Sequence, residues 1–340
     1  MRPFSYSRAA DPSTALQALT AAGAANVPAV EAPAQPLAGG TTLIDLMKLD
    51  VMRPQALVDI NPLAAQWSGV EPSGDRLRLG AMARMADVAE NAEVQRNYPV
   101  IVEALRLAAS QQIRNMATLG GNVLQRTRCS YFRDVSYEAC NKRNPGSGCA
   151  ALDGFNRMHA VLGTSDQCIA TYPGDFAQAL MALNATVEIA GPSGTRNLPF
   201  EQLHKPPGRS PQVETTLAPG ELISAFVIEG RWPRSLYLKV RDRRSYEFAL
   251  ASAAIALDVQ DGVVRDARVA LGGVATVPWR AREAEILLKE QKFDDNLARR
   301  MAEAAFAAAT PRKHNAFKIE LGRRVIARAL QQAATMEIPA

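Results

Sequence analysis

All four cysteines of this 340-residue chain lie within one segment of forty residues. The segment is rich in Asn, Gly, Pro and Ser and shows no helical or strand periodicity, so it predicts a loop. A loop of this length is uncommon in a compact domain unless it is functional or tied down by a bound group or cross-link. The cysteines are Cys129, Cys140, Cys149 and Cys168.

The spacing of the cysteines leaves three kinds of cross-link open. Ten, eight and eighteen residues separate them in turn, which matches no zinc-finger or ferredoxin pattern. Two disulfides would form in an oxidising compartment, and four thiolates would equally hold a structural zinc or a [4Fe–4S] cluster. Residues 126–157 carry six Lys and Arg against three Asp and Glu. This excess favours a ligand of negative charge but fits both metal centres.

Composition excludes several classes of protein. Apolar residues make up 47% of the chain and charged residues 21%, which is typical of a folded protein with a sizeable core rather than a disordered or fibrous one. No stretch approaches the ~18 unbroken apolar residues of a membrane span. The net charge is +5, but most Lys and Arg are interspersed with Asp and Glu, which favours solvated faces over a nucleic-acid surface. We expect no export signal of the chain's own, because residues 1–8 lack an apolar core and an arginine pair.

Two glycine-containing segments have the chemistry of phosphate-binding turns. They are residues 38–42, Ala-Gly-Gly-Thr-Thr, and residues 118–122, Thr-Leu-Gly-Gly-Asn. Glycine lets the backbone approach a phosphate closely, and successive N–H groups bind an anion, with Thr hydroxyls as further donors. Neither segment fits the Rossmann or P-loop pattern. Together they could clamp the two phosphates of a dinucleotide, although either alone is more often an ordinary turn.

Periodicity predicts an α+β chain in two parts, with a boundary near Gly230. In the first part we predict irregular or extended chain at 27–36, helices from 12 and at 44–49, 99–109 and 175–183, and strands at 57–60, 76–80, 186–189 and 222–228. In the second part we predict strands at 236–240, 253–259 and 263–271 and helices near 280–290, 295–309 and 316–334. Gln-Asp-Gly between two of these strands indicates a hairpin.

The two glycine segments resemble the flavin-pyrophosphate motifs of a known family. Residues 38–43 and residues 112–122, Gln-Ile-Arg-Asn-Met-Ala-Thr-Leu-Gly-Gly-Asn, are similar to those of the medium subunit of molybdenum hydroxylases, the xanthine dehydrogenase and carbon monoxide dehydrogenase flavoprotein family. Residues 236–250 resemble the family's small C-terminal domain. The resemblance implies an α+β fold of the vanillyl-alcohol oxidase/PCMH type, with FAD between subdomains at about 1–60 and 61–229. A C-terminal α+β domain of the CO dehydrogenase flavoprotein type would follow at 230–340.

The cysteine segment resembles only one group of proteins within this family. Residues 126–133, 140–149 and 163–168 are similar to the FAD subunits of bacterial periplasmic aldehyde oxidoreductases, in which an insertion, here 123–174, carries a [4Fe–4S] cluster. The resemblance therefore implies that the four cysteines bind such a cluster. It also implies a heterotrimer in which a large molybdopterin-binding subunit oxidises the substrate. A small [2Fe–2S] subunit would pass electrons to the FAD of this chain and on to an external acceptor. Export with a signal-bearing partner would make the protein periplasmic, with the cytoplasm as the alternative.

The resemblance also assigns cofactor-binding residues one by one. A first group would wrap the pyrophosphate: Gln35, Pro36, Leu37, Ala38, Gly39, Gly40, Thr41, Thr42 and Leu43. A second clamp would consist of Thr118, Gly121 and Asn122. Asp175 would hydrogen-bond the ribose or adenine side, and Ile223 and Lys239 would approach the flavin ring, where a lysine stabilises negative charge. Purely structural roles, as helix caps or core residues, are expected for the three histidines, which are His159, His204 and His314.

Two other functions remain open from the sequence. The chain could be a zinc- or disulfide-stapled binding module without flavin, whose glycine segments are only turns. It could also be a self-sufficient flavoprotein reductase that binds its own substrate. No Ser/His/Asp or paired-carboxylate arrangement can be argued from spacing, which suits a protein whose cofactor carries the chemistry.

Overall fold

Three β-sheets follow one another along the chain, each packed against helices. The computed structural model describes residues 1–21 and 28–338. The strands in these residues are β1 (Ser5–Arg8), β2 (Ala34–Leu37), β3 (Ala56–Asp59), β4 (Val70–Ser73), β5 (Arg76–Gly80), β6 (Thr186–Gly191), β7 (Gly194–Pro199), β8 (Leu222–Glu229), β9 (Ser235–Val240), β10 (Ala251–Gln260), β11 (Val263–Gly272), β12 (Trp279–Arg280) and β13 (Gln291–Lys292). The helices are α1 (Pro12–Ala21), α2 (Leu43–Lys48), α3 (Ala64–Trp67), α4 (Met85–Glu90), α5 (Ala92–Asn97), α6 (Pro99–Arg106), α7 (Gln111–Met116), α8 (Leu119–Val123), α9 (Ser130–Arg133), α10 (Phe176–Ala182), α11 (Arg282–Leu288), α12 (Asp295–Ala304) and α13 (Phe317–Ala334).

The first sheet is parallel, with the strand order β1-β3-β2. Helix α1 follows β1 and begins as its Asp-Pro start predicts, because Asp11 Oδ1 accepts the N–H of Thr14 at 2.8 Å. Strand β2 ends at Leu37, and the first glycine segment leaves the sheet there before α2 begins at Leu43. The carboxyl end of parallel strands is where open α/β sheets commonly bind ligands.

The second sheet is antiparallel, with the strand order β4-β5-β8-β6-β7. Strand β8 lies at its centre and is buried from Leu222 to Ile228, because both faces of the sheet are covered. On one face Phe226 packs into the large core formed with α4, α6 and α10. On the other face Leu222 packs with Trp67 and Met82 beside the first sheet. The second sheet therefore joins the glycine-bearing unit to the helical core.

The third sheet is antiparallel, with β12-β11-β10-β9 in order and β13 paired to β11. Its central strand β10 shows the two-residue periodicity of a strand covered on both faces. Ala254 and Ala256 face the core of the second sheet, whereas Ala253, Ile255 and Leu257 face a separate core under α11, α12 and α13. Alanine on the first face lets helices α6 and α10 approach the strand closely. The sheet thereby holds the C-terminal unit against the remainder of the protein.

The cysteine segment between α8 and α10 has little regular structure, as predicted, apart from the four-residue helix α9. Buried polar side chains satisfy its backbone in place of a strand ladder. Arg143 donates to the carbonyls of Tyr131 and Phe132 at 2.9 and 2.8 Å. Asn141 Oδ1 accepts the N–H groups of Gly146 and Gly148 at 3.1 and 2.9 Å. These bonds hold a long loop in one conformation.

Some local predictions differ from the structure. The second glycine segment, predicted as a turn, is the start of helix α8, and Thr118 caps it by accepting the N–H of Gly121 at 3.2 Å. The helix predicted at 99–109 ends at Arg106, and Ala109 has a φ of +49°. In the segment predicted as irregular or extended at 27–36, residue 27 lies outside the described residues, and the remainder contains a 3-10 turn and β2. None of the described helices has the length and apolar character to cross a membrane.

Candidate functional site

The two glycine segments line one cleft, which we call the glycine cleft, with an empty volume of about 960 Å³. Gly39 lies against the carbonyl of Met116, where a Cβ atom would collide with the oxygen. The segments therefore approach each other this closely only because residue 39 is glycine. Gly40 has a φ of +73°, a left-handed conformation that glycine adopts without strain.

The first segment presents unpaired backbone donors to the glycine cleft. No acceptor among residues 1–21 and 28–338 receives the N–H groups of residues 39–42, nor the hydroxyls of Thr41 and Thr42. Successive free N–H groups at a concave surface form an anion-binding site. The second segment differs, because protein atoms accept the N–H groups of all residues from 119 to 122. The phosphate donors therefore lie mainly on one side of the cleft.

A second cleft of about 990 Å³ continues from the first, because Thr41, Thr42, Ala117 and Gly121 line both. We call it the adjoining cleft. Its lining also includes Asn122, Asp175 and the loop between β9 and β10, through Arg243, Tyr246, Glu247 and Phe248. The two clefts therefore form one continuous depression that runs past both glycine segments.

A buried ion pair lies at the adjoining cleft. Lys239 Nζ is 2.8 Å from Asp175 Oδ2, and the two side chains are 1% and 4% exposed. The Tyr237 hydroxyl donates to Asp175 Oδ1 at 2.6 Å. Burial raises the pKa of Asp175, although Lys239 and Tyr237 both act to lower it. Each oxygen of the Asp175 carboxylate therefore already has a partner within the protein, Lys239 or Tyr237.

A third cleft, of about 1030 Å³, adjoins the second, because Arg128, Pro173, Glu247 and Phe248 line both. Cys129 contributes to its lining, so we call it the sulfur cleft. The Arg128 guanidinium stacks on the Phe248 ring at 4.8 Å between the two clefts. A continuous concave surface therefore runs from the glycine segments to the first cysteine.

The four cysteine thiols lie together. Cys149 and Cys168 are hydrogen-bonded through their side chains, and Cys140 faces Cys149 in an antiparallel bridge. Cys129 packs with Cys149 around the ring of Tyr131. No disulfide joins any of the four.

One backbone N–H group donates to a cysteine sulfur in the described residues, from Ala170 to Cys168 at 3.4 Å. Other backbone N–H groups act to lower the pKa of two further thiols: those of Tyr131 and Phe132 for Cys129, and those of Ala151, Leu152 and Ile169 for Cys149. Each such group favours the thiolate over the thiol, because it stabilises the negative charge. These groups act against burial, which favours the neutral thiol.

The thiols do not ionise equally without a cation. Burial raises the pKa of Cys129 to about 12, and its neighbours Cys140 and Cys149 add to that effect. A hydrogen bond from Cys168 lowers the pKa of Cys149 to about 6, and the same bond raises the pKa of Cys168. A bound metal centre would resolve this conflict, because its positive charge stabilises all four thiolates together.

One histidine touches this group. His159 Nε2 lies 3.1 Å from the Cys129 sulfur. Burial lowers the pKa of His159 to about 4, and the nearby ammonium of Lys318 lowers it further. The imidazole beside the sulfur is therefore neutral at physiological pH.

A buried charge network connects the glycine cleft with the cysteine segment. Glu214 Oε2 is 2.6 Å from Arg126 Nε, and Glu214 Oε1 is 2.8 Å from Lys142 Nζ. Arg126 lines the glycine cleft, and Lys142 lies between Cys140 and Cys149 in the sequence. Burial alone would raise the pKa of Glu214, but the two cations outweigh it and lower the pKa to about 2. The carboxylate is therefore ionised throughout the physiological range.

Two family models match nearly the whole chain. Residues 2–228 match the FAD binding domain in molybdopterin dehydrogenase, and residues 236–333 match the CO dehydrogenase flavoprotein C-terminal domain. The chain belongs to the family of FAD-binding medium subunits of molybdenum hydroxylases. The predicted family and the predicted α+β fold are confirmed, and this member of the family is an oxidoreductase subunit.

Individual relatives agree with this assignment. The chain is 45% identical to the aldehyde oxidoreductase FAD-binding subunit PaoB of Escherichia coli (strain K12), over 98% of this chain and 99% of that protein. It is 29% identical to the glyceraldehyde dehydrogenase medium chain of Sulfolobus acidocaldarius, over 82% and 81% of the two chains. A crystal structure of Cu,Mo-CO dehydrogenase matches with a TM-score of 0.75 at 25% identity, over 98% and 99% of the two chains.

The glycine cleft and the adjoining cleft fit FAD in this family member, since free N–H donors suit its two phosphates. Eleven of the sequence-predicted residues line the glycine cleft: Gln35, Pro36, Ala38, Gly39, Gly40, Thr41, Thr42, Leu43, Thr118, Gly121 and Ile223. Asn122 and Asp175 line the adjoining cleft, and Leu37 packs instead with Leu46 and Leu57 in the core. Asp175 and Lys239 form one ion pair. The two residues therefore contact each other, and Lys239 is not part of the lining of either cleft. Their roles at the cofactor stay predictions.

Sequence reasoning missed several residues of the site. Arg126 and Arg128 were part of the basic excess but received no role, and His159 was expected only in a core or capping role. No local pattern marks the loop residue Phe248, which comes to the clefts through the path of the chain after β9. The excess of arginine near Cys129 was the one feature of the sequence that could have indicated these residues.

The gathered thiols do not form a ready site for one metal ion. No three His, Cys, Asp or Glu side chains in the described part of the chain converge closely enough to hold a single ion. Zinc bonded to four thiolates at ~2.3 Å would require all four sulfurs to surround one atom. A [4Fe–4S] cluster spreads its thiolates over a larger core. Four thiols are the number of ligands that such a cluster takes. A binding module without flavin is inconsistent with the family.

Proposed function

We propose that this chain is the FAD- and [4Fe–4S]-containing electron-transfer subunit of an aldehyde-oxidising molybdenum hydroxylase. The feature that supports the cluster is the gathering of all four cysteines in one segment, with an N–H group that donates to Cys168 and others that favour the thiolates of Cys129 and Cys149. Hydrogen bonds to sulfur are among the features by which proteins stabilise and tune iron–sulfur clusters. The basic surroundings, including Lys142 and Arg143, offset the negative charge of a thiolate-bound cluster.

We assign the parts of FAD to the two clefts from the groups that line them. The free N–H groups of residues 39–42 and the hydroxyls of Thr41 and Thr42 hold the pyrophosphate. The remainder of the cofactor extends from there along the glycine cleft and into the adjoining cleft, whose lining includes Asp175. The buried ammonium of Lys239 lies behind that carboxylate, 2.8 Å from it, and fixes its position. FAD supplies the redox chemistry, and the residues of this chain bind and orient it.

The relatives support a multisubunit assembly. PaoB is named as the FAD-binding subunit of an aldehyde oxidoreductase and spans the same length as this chain. We infer partner subunits that carry molybdopterin and [2Fe–2S] clusters, with the aldehyde oxidised on the molybdopterin subunit. Electrons would reach the FAD of this chain from the [2Fe–2S] subunit and leave to an external acceptor. A location in the periplasm, reached by export with a signal-bearing partner, is part of this proposal.

Cofactor analysis of the purified complex tests the proposal. We expect one FAD and about four irons bound by this chain, with a flavin spectrum and a broad iron–sulfur shoulder that dithionite bleaches. Cys149→Ser should lower the iron content while FAD is retained, because it removes one thiolate. Ser136→Ala is the matched control, since Ser136 lies in the same segment and its hydroxyl hydrogen-bonds only Asp134 among the described residues. Zinc in place of iron, or iron unchanged in Cys149→Ser, would contradict the cluster.

A second measurement separates this function from that of a self-sufficient reductase. The isolated chain, loaded with its cofactors, should be reduced by dithionite but should not turn over aldehydes. Turnover by the isolated chain would show that the substrate site lies here and not on a partner.

A further inference from the structure

Residues 126–133 carry more positive charge than their carboxylate partners balance. Arg126 and Lys142 share the single carboxylate of Glu214, at 2.6 and 2.8 Å. Within residues 1–21 and 28–338, neither cation forms an ion pair with any other Asp or Glu. The three side chains therefore keep one excess positive charge. Arg126 is buried in the wall of the glycine cleft and brings this charge to it.

A second group of the same composition lies at the adjoining cleft. Arg133 Nη1 is 2.8 Å and Arg128 Nη1 is 3.2 Å from Asp45 Oδ2, so two arginines again share one carboxylate. Burial lowers the pKa of Arg128, and the like charge of Arg133 lowers it further, although Asp45 acts to raise it. This group also keeps one excess positive charge among the described residues, and Arg128 lines the adjoining cleft.

The other charged side chains at the two clefts balance one another. Arg126 is the one charged residue among those that line the glycine cleft in the described part of the chain. In the adjoining cleft, Asp175 is paired with Lys239, and Glu247 is paired with Arg243. The described walls of the two clefts therefore hold two uncompensated positive charges, one from each group.

These two charges lie on either side of the free N–H groups of the first glycine segment. Thr41 and Thr42 line both clefts, whereas Arg126 lines the glycine cleft and Arg128 the adjoining cleft. A diphosphate held by that segment would bring one negative charge for each phosphate, as each phosphodiester does in DNA. N–H groups are dipoles and do not neutralise such charges, so an anion that leaves water is held best where cations lie close by.

We propose that Arg126 and Arg128 supply the counter-charge of the FAD diphosphate, one cation for each phosphate. This inference rests on the FAD site of the proposed function and is independent of the metal centre. Glu214 and Asp45 position the two guanidinium groups and limit the excess to one charge in each group. Part of the basic excess noted in the sequence at residues 126–157 thereby acquires a role at FAD.

The test measures the dissociation constant of FAD for the intact complex after its FAD has been removed, by quenching of flavin fluorescence. Arg126→Met should weaken binding about tenfold, equivalent to ~1.4 kcal/mol, because it removes a cation beside a phosphate. Arg126→Lys should recover most of the affinity, because it keeps the charge. Arg143→Met is the matched control, since Arg143 is also buried in the cysteine segment but lines neither cleft.

Glu214→Gln separates a role in charge balance from a role in folding. The substitution removes the shared carboxylate and so adds one positive charge to the first group. FAD should therefore bind as tightly as to the unmodified complex, or more tightly. A structural role for Arg126 predicts the opposite, because loss of Glu214 would release Arg126 and loosen the wall of the cleft.

Three results would overturn the proposal: an unchanged affinity in Arg126→Met, equal weakening in Arg126→Met and the control, or weakening in both Arg126→Met and Glu214→Gln. If Arg126→Met does not fold, Arg128→Met decides by the same measurement, because the Arg128 side chain is 36% exposed. Binding weakened about tenfold in Arg128→Met would then support the proposal, and unchanged binding would overturn it. An unmodified complex that does not take up FAD would refute the proposed function itself.

Discussion

The carboxylate of Glu214 should contribute about 3 kcal/mol to the stability of this protein at neutral pH. It lies between the cations of Arg126 and Lys142, whose side chains are 9% and 12% exposed. Its pKa falls from an ordinary 4.5 to about 2, and each tenfold change in acidity is worth ~1.4 kcal/mol. The resulting figure of about 3 kcal/mol agrees with the ~3–5 kcal/mol lost when one partner of a buried ion pair is removed.

Glu214→Gln keeps the shape of the side chain and removes its charge. We expect the free energy of unfolding to fall by about 3 kcal/mol at pH 7, measured by urea denaturation of the flavin-loaded chain with circular dichroism as the signal. Because the folded pKa lies below the unfolded one, the stabilisation is complete above about pH 5. The difference between the two proteins should therefore be constant from pH 8 to about 5.5 and shrink only below that.

Glu201→Gln is the control for this measurement. Glu201 pairs with Arg282 at the surface, with side chains 44% and 54% exposed, and such pairs contribute at most ~1 kcal/mol. A loss in Glu214→Gln no larger than that of the control would refute the reasoning. A difference that grows between pH 8 and 5.5 would refute it as well, because it would place the titration of another group at this site.

Three further predictions concern other parts of the structure, and urea denaturation tests each of them. Lys239→Met should lower the free energy of unfolding by about 3–5 kcal/mol, because it leaves the buried Asp175 without its cation. Adding Asp175→Asn should recover part of this loss, and additive losses in the double variant would contradict the pairing. Gly40→Ala should lower the free energy of unfolding by about 1–2 kcal/mol even without FAD, because the φ of residue 40 is +73° and a Cβ atom would lie 2.7 Å from Ile44 Cδ1. An unchanged midpoint of urea denaturation would show that this turn relaxes. Burial lowers the pKa of Lys318 from 10.5 to about 7, so the stability of the unmodified chain should rise by about 2 kcal/mol between pH 7 and 9, and Lys318→Met should lack that rise.

The surroundings of Gly40 limit what a larger side chain at this position can show about FAD binding. If the glycine backbone at residue 40 lies close to a phosphate, Gly40→Val should clash with that phosphate and lower FAD occupancy. In the structure the same side chain first meets Ile44, and the left-handed backbone adds strain. Loss of FAD in such a variant would therefore follow from local distortion as readily as from a blocked phosphate site. Thr41→Val is cleaner, because it removes one donor that lines both clefts and keeps the shape.

Local chemistry made much of the fold predictable. The hairpin between β10 and β11 was found from Gln-Asp-Gly, and Asp261 and Gly262 have φ values of +51° and +75°, as a two-residue turn of this kind requires. The alternating strand at 76–80 and the Asp-Pro helix start were found for the same reason, since neighbours in sequence decide both. Short helices such as α5 were missed, because α5 depends on a single cap, in which Asn91 accepts the N–H groups of Glu93 and Val94.

The site was predictable only where its residues are adjacent in sequence. The glycine segments and the cysteine segment carry their chemistry in local patterns, and a family resemblance could be read from them. Contacts between distant residues left no pattern. Glu214 between Arg126 and Lys142, and His159 against Cys129, follow from how a loop without regular structure crosses the molecule. The pairing of Asp175, at the start of α10, with Lys239 on β9 likewise left no pattern in the sequence.

The continuity of the three clefts bears on whether the cysteine centre is structural or lies on the route of the electrons. Thr41 and Thr42 join the glycine cleft to the adjoining cleft, and Arg128 and Phe248 join the adjoining cleft to the sulfur cleft. Arg128 directly precedes Cys129, and its guanidinium stacks on the Phe248 ring between these two clefts. Under the function proposed above, FAD along the first two clefts and a cluster at the cysteines would therefore adjoin one continuous concave surface, an arrangement that suits electron transfer between them.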